Sequence, residues 1–168
     1  GVGGGYIGKY LKKKYGIKKY VGIDIADRQL INASKRMQRN KMPYKMFKED
    51  VNFRILGADI FICQATIQHF PSIEYLDKFL YNVNNSKIST CMLQIREESK
   101  ETLINNSDYK ERRNVTRKCI TTPKYLLDGL FNYQLLWMSD IQKGPNYRYL
   151  IFKKNNIRIV RYLNYIKN

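Results

Sequence analysis

The spacing of apolar positions along the chain changes repeatedly, and each change marks an element. Ile7, Tyr10 and Leu11 recur at helical spacing ahead of the Lys12 to Lys14 run and predict a first helix with these residues on its apolar face. YVGIDI (Tyr20 to Ile25) is a short β-branched run that ends on an acid, as a buried parallel strand does. Asp27 is placed to cap the helix that follows, in which Leu30, Ala33, Ser34 and Met37 share one face before the basic exit RMQRNK. Met46 and Phe47 predict a second short strand closing on Glu49 and Asp50, and ADIFICQ (Ala58 to Gln64) predicts a third. Pro71 and Ser72 open a helix with Ile73, Leu76, Phe79, Leu80 and Val83 on one side, and Asn84 and Asn85 stop it.

KISTCMLQI (Lys87 to Ile95) reads as a fourth strand. The stretch 96–121 is polar and poorly periodic, too long for an ordinary connection, and is read as a substrate-facing excursion or as partly disordered. Thr122 and Pro123 form a cap and first-turn pair for a short helix through Leu126, Leu127 and Leu130. YQLLWMSD and YRYLIFK then follow, and the QKGPN between them is too short for a crossover helix, so these strands are expected to pair antiparallel. Strands alternating with helices build an α/β, Rossmann-like, mostly parallel sheet with helices on both faces, here closed by a C-terminal antiparallel hairpin. The expected organisation is one domain over 1–154 and a basic tail over 155–168, with no internal repeat.

The amino terminus, GVGGGYIGKYL, carries glycines at 1, 3, 5 and 8. Alternating glycines let a backbone turn tightly and approach a ligand closely, usually between a strand and a helix. The helix is predicted but no strand precedes it, so the turn reads either as a flexible tail or as the second half of a motif whose first strand lies outside this sequence. A length of 168 residues and a hydrophobic content of 43% suit one domain with a substantial core. No run of about 18 apolar residues suggests a membrane span, which favours a soluble, cytoplasmic protein with no membrane partner. Cys63, Cys91 and Cys119 are odd in number, far apart and without zinc-site spacing, so they are expected as free thiols in a reducing compartment, with no metal. The excess of 31 Lys+Arg over 14 Asp+Glu, +17 in all, points either to a phosphate-rich partner or to compositional drift. Because basic residues alternate with core positions, drift is the preferred reading.

In an open α/β sheet, ligands bind beyond the carboxyl ends of the strands. That rule selects the glycine turn, Asp24 and Ile25, Asp50 and Val51, and Gln64 through His69. Asp24 follows the glycines by about 20 residues, where a carboxylate accepts both hydroxyls of a ribose; its other possible use is to cap the next helix. These segments, in order, resemble the class I S-adenosylmethionine-dependent methyltransferases. GVGGGYIG is similar to the latter part of that family's glycine-rich motif, whose acidic residue two positions before the first glycine falls outside this sequence. YVGIDIADRQLINASKRM resembles its second strand and helix, KEDV its third strand end, and ADIFICQATIQHF its fourth strand with the following loop, so that the likeness covers Gly1 to Ile95. The resemblance implies S-adenosyl-L-methionine as cofactor. It places Gly1, Gly3 and Gly5 along the methionine portion, Asp24 on the ribose, Ile25 on the adenine face, Asp50 and Val51 at the adenine edge, and Gln64 and Ala65 near the sulfonium. A dinucleotide-binding dehydrogenase shares the glycines and the acid, but needs a second βαβ half that this chain does not offer.

Methyl transfer is an in-line displacement at an activated carbon, so alignment supplies much of the acceleration and a base is optional. His69, the single histidine, is the candidate base for a hydroxyl or amine acceptor, with orientation of its own loop as the alternative. Arg96 is the candidate for binding an acidic substrate group, or else a solvated surface cation. The expected acceptor is a small molecule or sugar-like compound. The alternatives are RNA, since IKKYVGIDIADRQL and the Gln64 to His69 pairing are similar to cap guanine methyltransferases and the charge suits it, or a non-catalytic form of the fold. Two features favour the small acceptor: aromatic residues on core-facing spacings, and Glu97, Glu98, Glu101 and Glu111 among the bases of the polar excursion. Oligomeric state is left open.

Overall fold

Residues 1–49, 51–96, 121–141 and 147–155 are described by the computed structural model, and the chain divides into a first unit, Gly1–Ala58, and a second, Asp59–Asn168. The first unit runs α1 (Tyr6–Tyr15), β1 (Tyr20–Ile23), α2 (Asp27–Arg39), β2 (Tyr44–Phe47) and a 3-10 turn (Phe53–Ile55). Strands β1 and β2 pair in parallel from Tyr20 opposite Tyr44 to Ile23 opposite Phe47, with α2 as their crossover. Ala33 and Met37 are fully buried on the inner face of α2, as the helical spacing predicts.

Two local expectations change. Asp27 is the first residue of α2 and caps nothing with its side chain; Ala26 is the N-cap residue, and its N–H is taken by Asp24 Oδ1 at 3.0 Å. Asp27 instead sits in the first turn, where a carboxylate meets the positive end of the helix dipole. Tyr10, expected on the apolar face of α1, is more than half exposed.

The second unit contains β3 (Ile60–Cys63), a 3-10 turn (Ile67–His69), α3 (Ile73–Asn84), β4 (Thr90–Arg96), α4 (Pro123–Gly129), β5 (Tyr133–Met138) and β6 (Tyr147–Lys154). Its sheet has the order β3-β4-β6-β5. Strands β3 and β4 are parallel, with α3 between them in the chain, while β6 pairs antiparallel with β4 and with β5. The second strand of the hairpin therefore lies inward and β5 takes the edge, where its register slips between Leu135 and Trp137. Both helix caps read from the sequence are present, Ser72 Oγ accepting from Tyr75 N–H at 3.3 Å and Thr122 Oγ1 from Tyr125 N–H at 3.2 Å. Leu76, Val83, Leu93, Ile95, Leu150 and Phe152 are fully buried, whereas Ile73 and Leu127, expected on apolar helix faces, stay exposed. Parallel strand pairs joined by helices, followed by the antiparallel hairpin, are the α/β Rossmann-like architecture that the sequence predicts. Among the described residues no helix is long and apolar enough to cross a membrane.

The end of α3 is held by Asn84, which is buried. Its Nδ2 donates to the Gly129 carbonyl at 2.7 Å and its Oδ1 accepts from Asn132 N–H at 3.2 Å, so one side chain ties α3 to the end of α4 and the approach to β5. Its own carbonyl accepts from Asn132 Nδ2 at 3.2 Å and from Lys154 Nζ at 3.1 Å, which brings in the end of β6. Asn84→Ala leaves a backbone carbonyl and a backbone N–H without their partner. At about 1–3 kcal/mol for each unsatisfied buried group, the expected loss is about 2–6 kcal/mol of unfolding free energy, read as a lowered midpoint in urea at unchanged slope.

Candidate cofactor site

The glycine turn folds back on the strand that carries Asp24. Val2 N–H donates to the Ile23 carbonyl at 2.8 Å, and Gly3 N–H donates to Asp24 Oδ2 at 3.0 Å. Gly3 and Gly5 both lie in the left-handed region, at φ 51° and 73°, which a side chain occupies only at a cost of roughly 1–2 kcal/mol. At Gly5 there is a second reason for glycine, because a Cβ there would stand 3.1 Å from the Ala33 Cα of α2. At Gly3 a Cβ would meet nothing within 4 Å, so the space beside the turn is open. Arg36 of α2 secures the turn from its other side, with Nε donating to the Gly4 carbonyl at 2.6 Å and the guanidinium 3.5 Å from the Tyr6 ring centroid. Tyr20, at the start of β1, has its hydroxyl pushed up to about 12 by burial.

Asp24 is only 7% exposed, and each of its oxygens accepts one backbone N–H, from Gly3 and from Ala26. Of the two roles weighed from the sequence, the one at the helix start is observed, Oδ1 receiving the N–H at the entry to α2, and each oxygen keeps acceptor capacity for a further donor. Ile25, the next residue, is 70% exposed, an apolar side chain standing beside the carboxylate. Its carbonyl accepts from Lys48 Nζ at 3.2 Å, and Lys48 also pairs with Asp27 at 2.6 Å. Val51 is half-buried, and its N–H donates to the Lys48 carbonyl at 3.3 Å, a long bond within a turn. Asp50 lies outside the described residues. A carboxylate with room for two donors, an exposed apolar neighbour and a turn open at Gly3 fit a ligand with a vicinal diol, a flat ring and an extended tail. Gly1, Gly3, Gly5, Asp24 and Ile25 are therefore brought together in the first unit.

Gln64, Ala65, His69 and Arg96 belong to the second unit. Gln64 and Ala65 are exposed just past the carboxyl end of β3. Ala65 holds φ 50°, and its N–H donates to Gln94 Oε1 of β4 at 2.8 Å. Thr66 Oγ1 donates to the Gln64 carbonyl at 2.8 Å and sharpens the same turn. His69 is exposed at the end of the 3-10 turn, its N–H donating to the Thr66 carbonyl at 2.9 Å. Gln68 beside it is buried, and its Oε1 accepts no hydrogen bond among the described residues. Arg96, the last residue of β4, likewise has a buried Nε without a hydrogen-bond partner there. Burial pushes the thiols of Cys63 and Cys91 up to about 11 and about 12, so neither supplies a thiolate nucleophile near neutral pH; Cys119 lies outside the described residues.

Two residues of this geometry escape the sequence reading, Arg36 and Gln94, while Gln68 falls within the selected stretch from Gln64 through His69. Gln94 alone left a signal, as a polar residue inside the apolar run KISTCMLQI, where a buried amide must find a partner.

Known proteins share this fold. The methyltransferase domain family matches residues 1–87, more than half of the chain. An S-adenosylmethionine-dependent methyltransferase from Clostridium acetobutylicum ATCC 824 has a similar structure, with a TM-score of 0.59 at 9% identity over 91% of each chain. Magnesium protoporphyrin IX methyltransferase from Synechocystis PCC 6803 with bound SAH gives a TM-score of 0.68 at 13% identity, over 92% of this chain and 72% of that one. A small RNA methyltransferase gives 0.66 at 17% identity, over 93% of this chain and 22% of that one. No curated protein matches in sequence. With the family match spanning the glycine turn, Asp24 and the strands that carry them, the chain belongs to the methyltransferase domain family, whose methyl donor is S-adenosyl-L-methionine.

Proposed function

We propose that the first unit holds S-adenosyl-L-methionine with its ribose hydroxyls on Asp24, its adenine against Ile25 and the edge at Asp50 and Val51, and its methionine portion along Gly1, Gly3 and Gly5, within a domain spanning 1–154. The carrying observation is the Asp24 carboxylate, fixed by Gly3 and Ala26 N–H with acceptor capacity left on both oxygens. The bound cofactor supplies a methyl group on a positive sulfur. Asp24 and the turn orient that group, and alignment supplies much of the acceleration of an in-line displacement. The roles of Gln64 and Ala65 near the sulfonium, and of His69 as the acceptor's base, rest on the resemblance and on their position after β3.

For the acceptor, the first reading is a small polar molecule. The unpartnered Gln68 Oε1 and Arg96 Nε support it, since each is a buried polar atom that calls for a polar partner. A second reading, RNA, gains from a specific observation: Tyr6, Tyr10 and Tyr15 are exposed, against the expectation that aromatic residues face the core. The glutamates of the polar excursion lie outside the described residues.

Asp24→Ala should weaken S-adenosylhomocysteine binding by about 1.5–3 kcal/mol in calorimetric titration, the range for hydrogen bonds to a charged group; an unchanged affinity removes Asp24 from the site. Gln94→Leu keeps the side-chain bulk but removes the acceptor for Ala65 N–H. It should lower kcat by about ten- to a hundredfold, the scale of a small misplacement near the chemistry, while Gln94→Glu, which keeps an acceptor, restores most of it. Equal rates in the two variants would show that this hydrogen bond does not position the loop.

A further inference from the structure

Between α1 and α2 a cleft of about 840 Å³ opens from the glycine turn, with Lys9, Lys35, Arg36 and Arg39 on its walls together with Tyr6 and Asn32. No carboxylate lines it. Across both helices the one acid is Asp27, already paired with Lys48 at 2.6 Å. Lys9, Lys35 and Arg39 make no ion pair among the described residues, and Arg36 is fixed by its hydrogen bond to Gly4 and by the Tyr6 ring rather than by an opposite charge. What sets these two helices apart is the local balance, eight basic residues against the single acid Asp27.

The aromatic residues on α1 carry the argument further. Tyr6, Lys9, Tyr10 and Lys13 recur at helical spacing and lie on one face. Tyr6 and Tyr10 are 67% and 54% exposed, and Tyr15 at the helix end is 63% exposed. Lys14 Nζ stands 5.6 Å and 5.4 Å from the ring centroids of Tyr10 and Tyr15. Exposed rings alternating with unpaired cations, one helical turn apart and bordering a basic cleft, are what single-stranded nucleic acid requires: cations track its phosphates while unpaired bases stack on the rings. A small anion would use the charge and leave the rings idle. We propose that the α1–α2 cleft binds single-stranded nucleic acid, with phosphates on Lys9, Lys35, Arg36 and Arg39 and bases on Tyr6 and Tyr10. The cleft borders the proposed cofactor site at Gly3, but the proposal does not rest on that reading, and a binding test without cofactor separates the two.

The test is fluorescence anisotropy with the whole chain, without cofactor, using a labelled 20-nucleotide single-stranded RNA, the DNA of the same sequence and an inorganic polyphosphate competitor, over a salt series. Four phosphate contacts at roughly −0.7 each give a log–log salt slope of about −3. Lys35→Ala/Arg39→Ala should reduce the slope by about 1.4 and weaken binding several-fold. Lys78→Ala/Lys87→Ala removes the same charge from exposed positions of the second unit and should change little. Tyr10→Ala should weaken binding at least fivefold with the slope unchanged, the lower end of what one stacked base contributes. Circular dichroism melts confirm that each variant folds. Preference for RNA or for DNA then tells which of the two the cleft serves. Equal losses from the two lysine and arginine pairs, a Tyr10→Ala variant that binds like the parent, or polyphosphate competing as well as nucleic acid would each overturn the proposal.

Discussion

The Asp24 carboxylate is the interaction on which the first unit depends. A buried charge costs several kcal/mol unless it is hydrogen-bonded, and here both oxygens are supplied by backbone N–H groups, one from a turn that lies 21 residues earlier in the chain and one from the start of α2. The strand end, the glycine turn and the helix entry are therefore tied together through one carboxylate. Gly5 against Ala33 and Arg36 on Gly4 add a second tie between the turn and α2. The segment that presents the Asp24 carboxylate is thus over-determined, which is what keeps two left-handed residues in place.

Periodicity made most elements legible, because each buried face repeats with the period of its own secondary structure. What it did not reveal was long-range. Asp24 and Asp27 both precede α2, and only the placement of the Ala26 N–H decides which one serves the helix start. On α1, Ile7 and Leu11 form one stripe and Tyr6 and Tyr10 another, each four residues apart; the sequence puts Tyr10 with the first, and the fold leaves it exposed with the second. The inward position of β6 is a matter of strand order, and YRYLIFK reads the same whether it pairs on one side or two. Of the site, Asp24 was visible because a strand end and a glycine turn stood at a recognisable interval. Arg36 and Gln94 act on backbone 32 and 29 residues away, distances over which a single sequence holds no pattern.

In the second unit, Asn84 and Gln94 play related parts. Each is a buried amide whose acceptor or donor meets backbone that no strand or helix ladder satisfies, Gln94 at the left-handed Ala65 and Asn84 at Gly129 and Asn132. Side-chain amides carry both kinds of hydrogen-bonding group on one short stem, so they suit the irregular joints where the α/β ladder stops and loops begin. A polar residue in a buried position is in both cases the mark of such a joint.

The register slip in β5 has a bearing on how the chain behaves in a crowded solution. Strand β5 ends the sheet among the described residues, and Leu136, Trp137 and Met138 stand exposed along it. An apolar edge of that kind is a template for another chain to extend, strand upon strand, into an aggregate. The bulge between Leu135 and Trp137 interrupts the regular spacing that such an extension would copy and twists the edge away from a flat partner. A feature that looks like a fault in pairing thereby acts as a guard, letting the domain keep a greasy rim without inviting its own copies to polymerise on it.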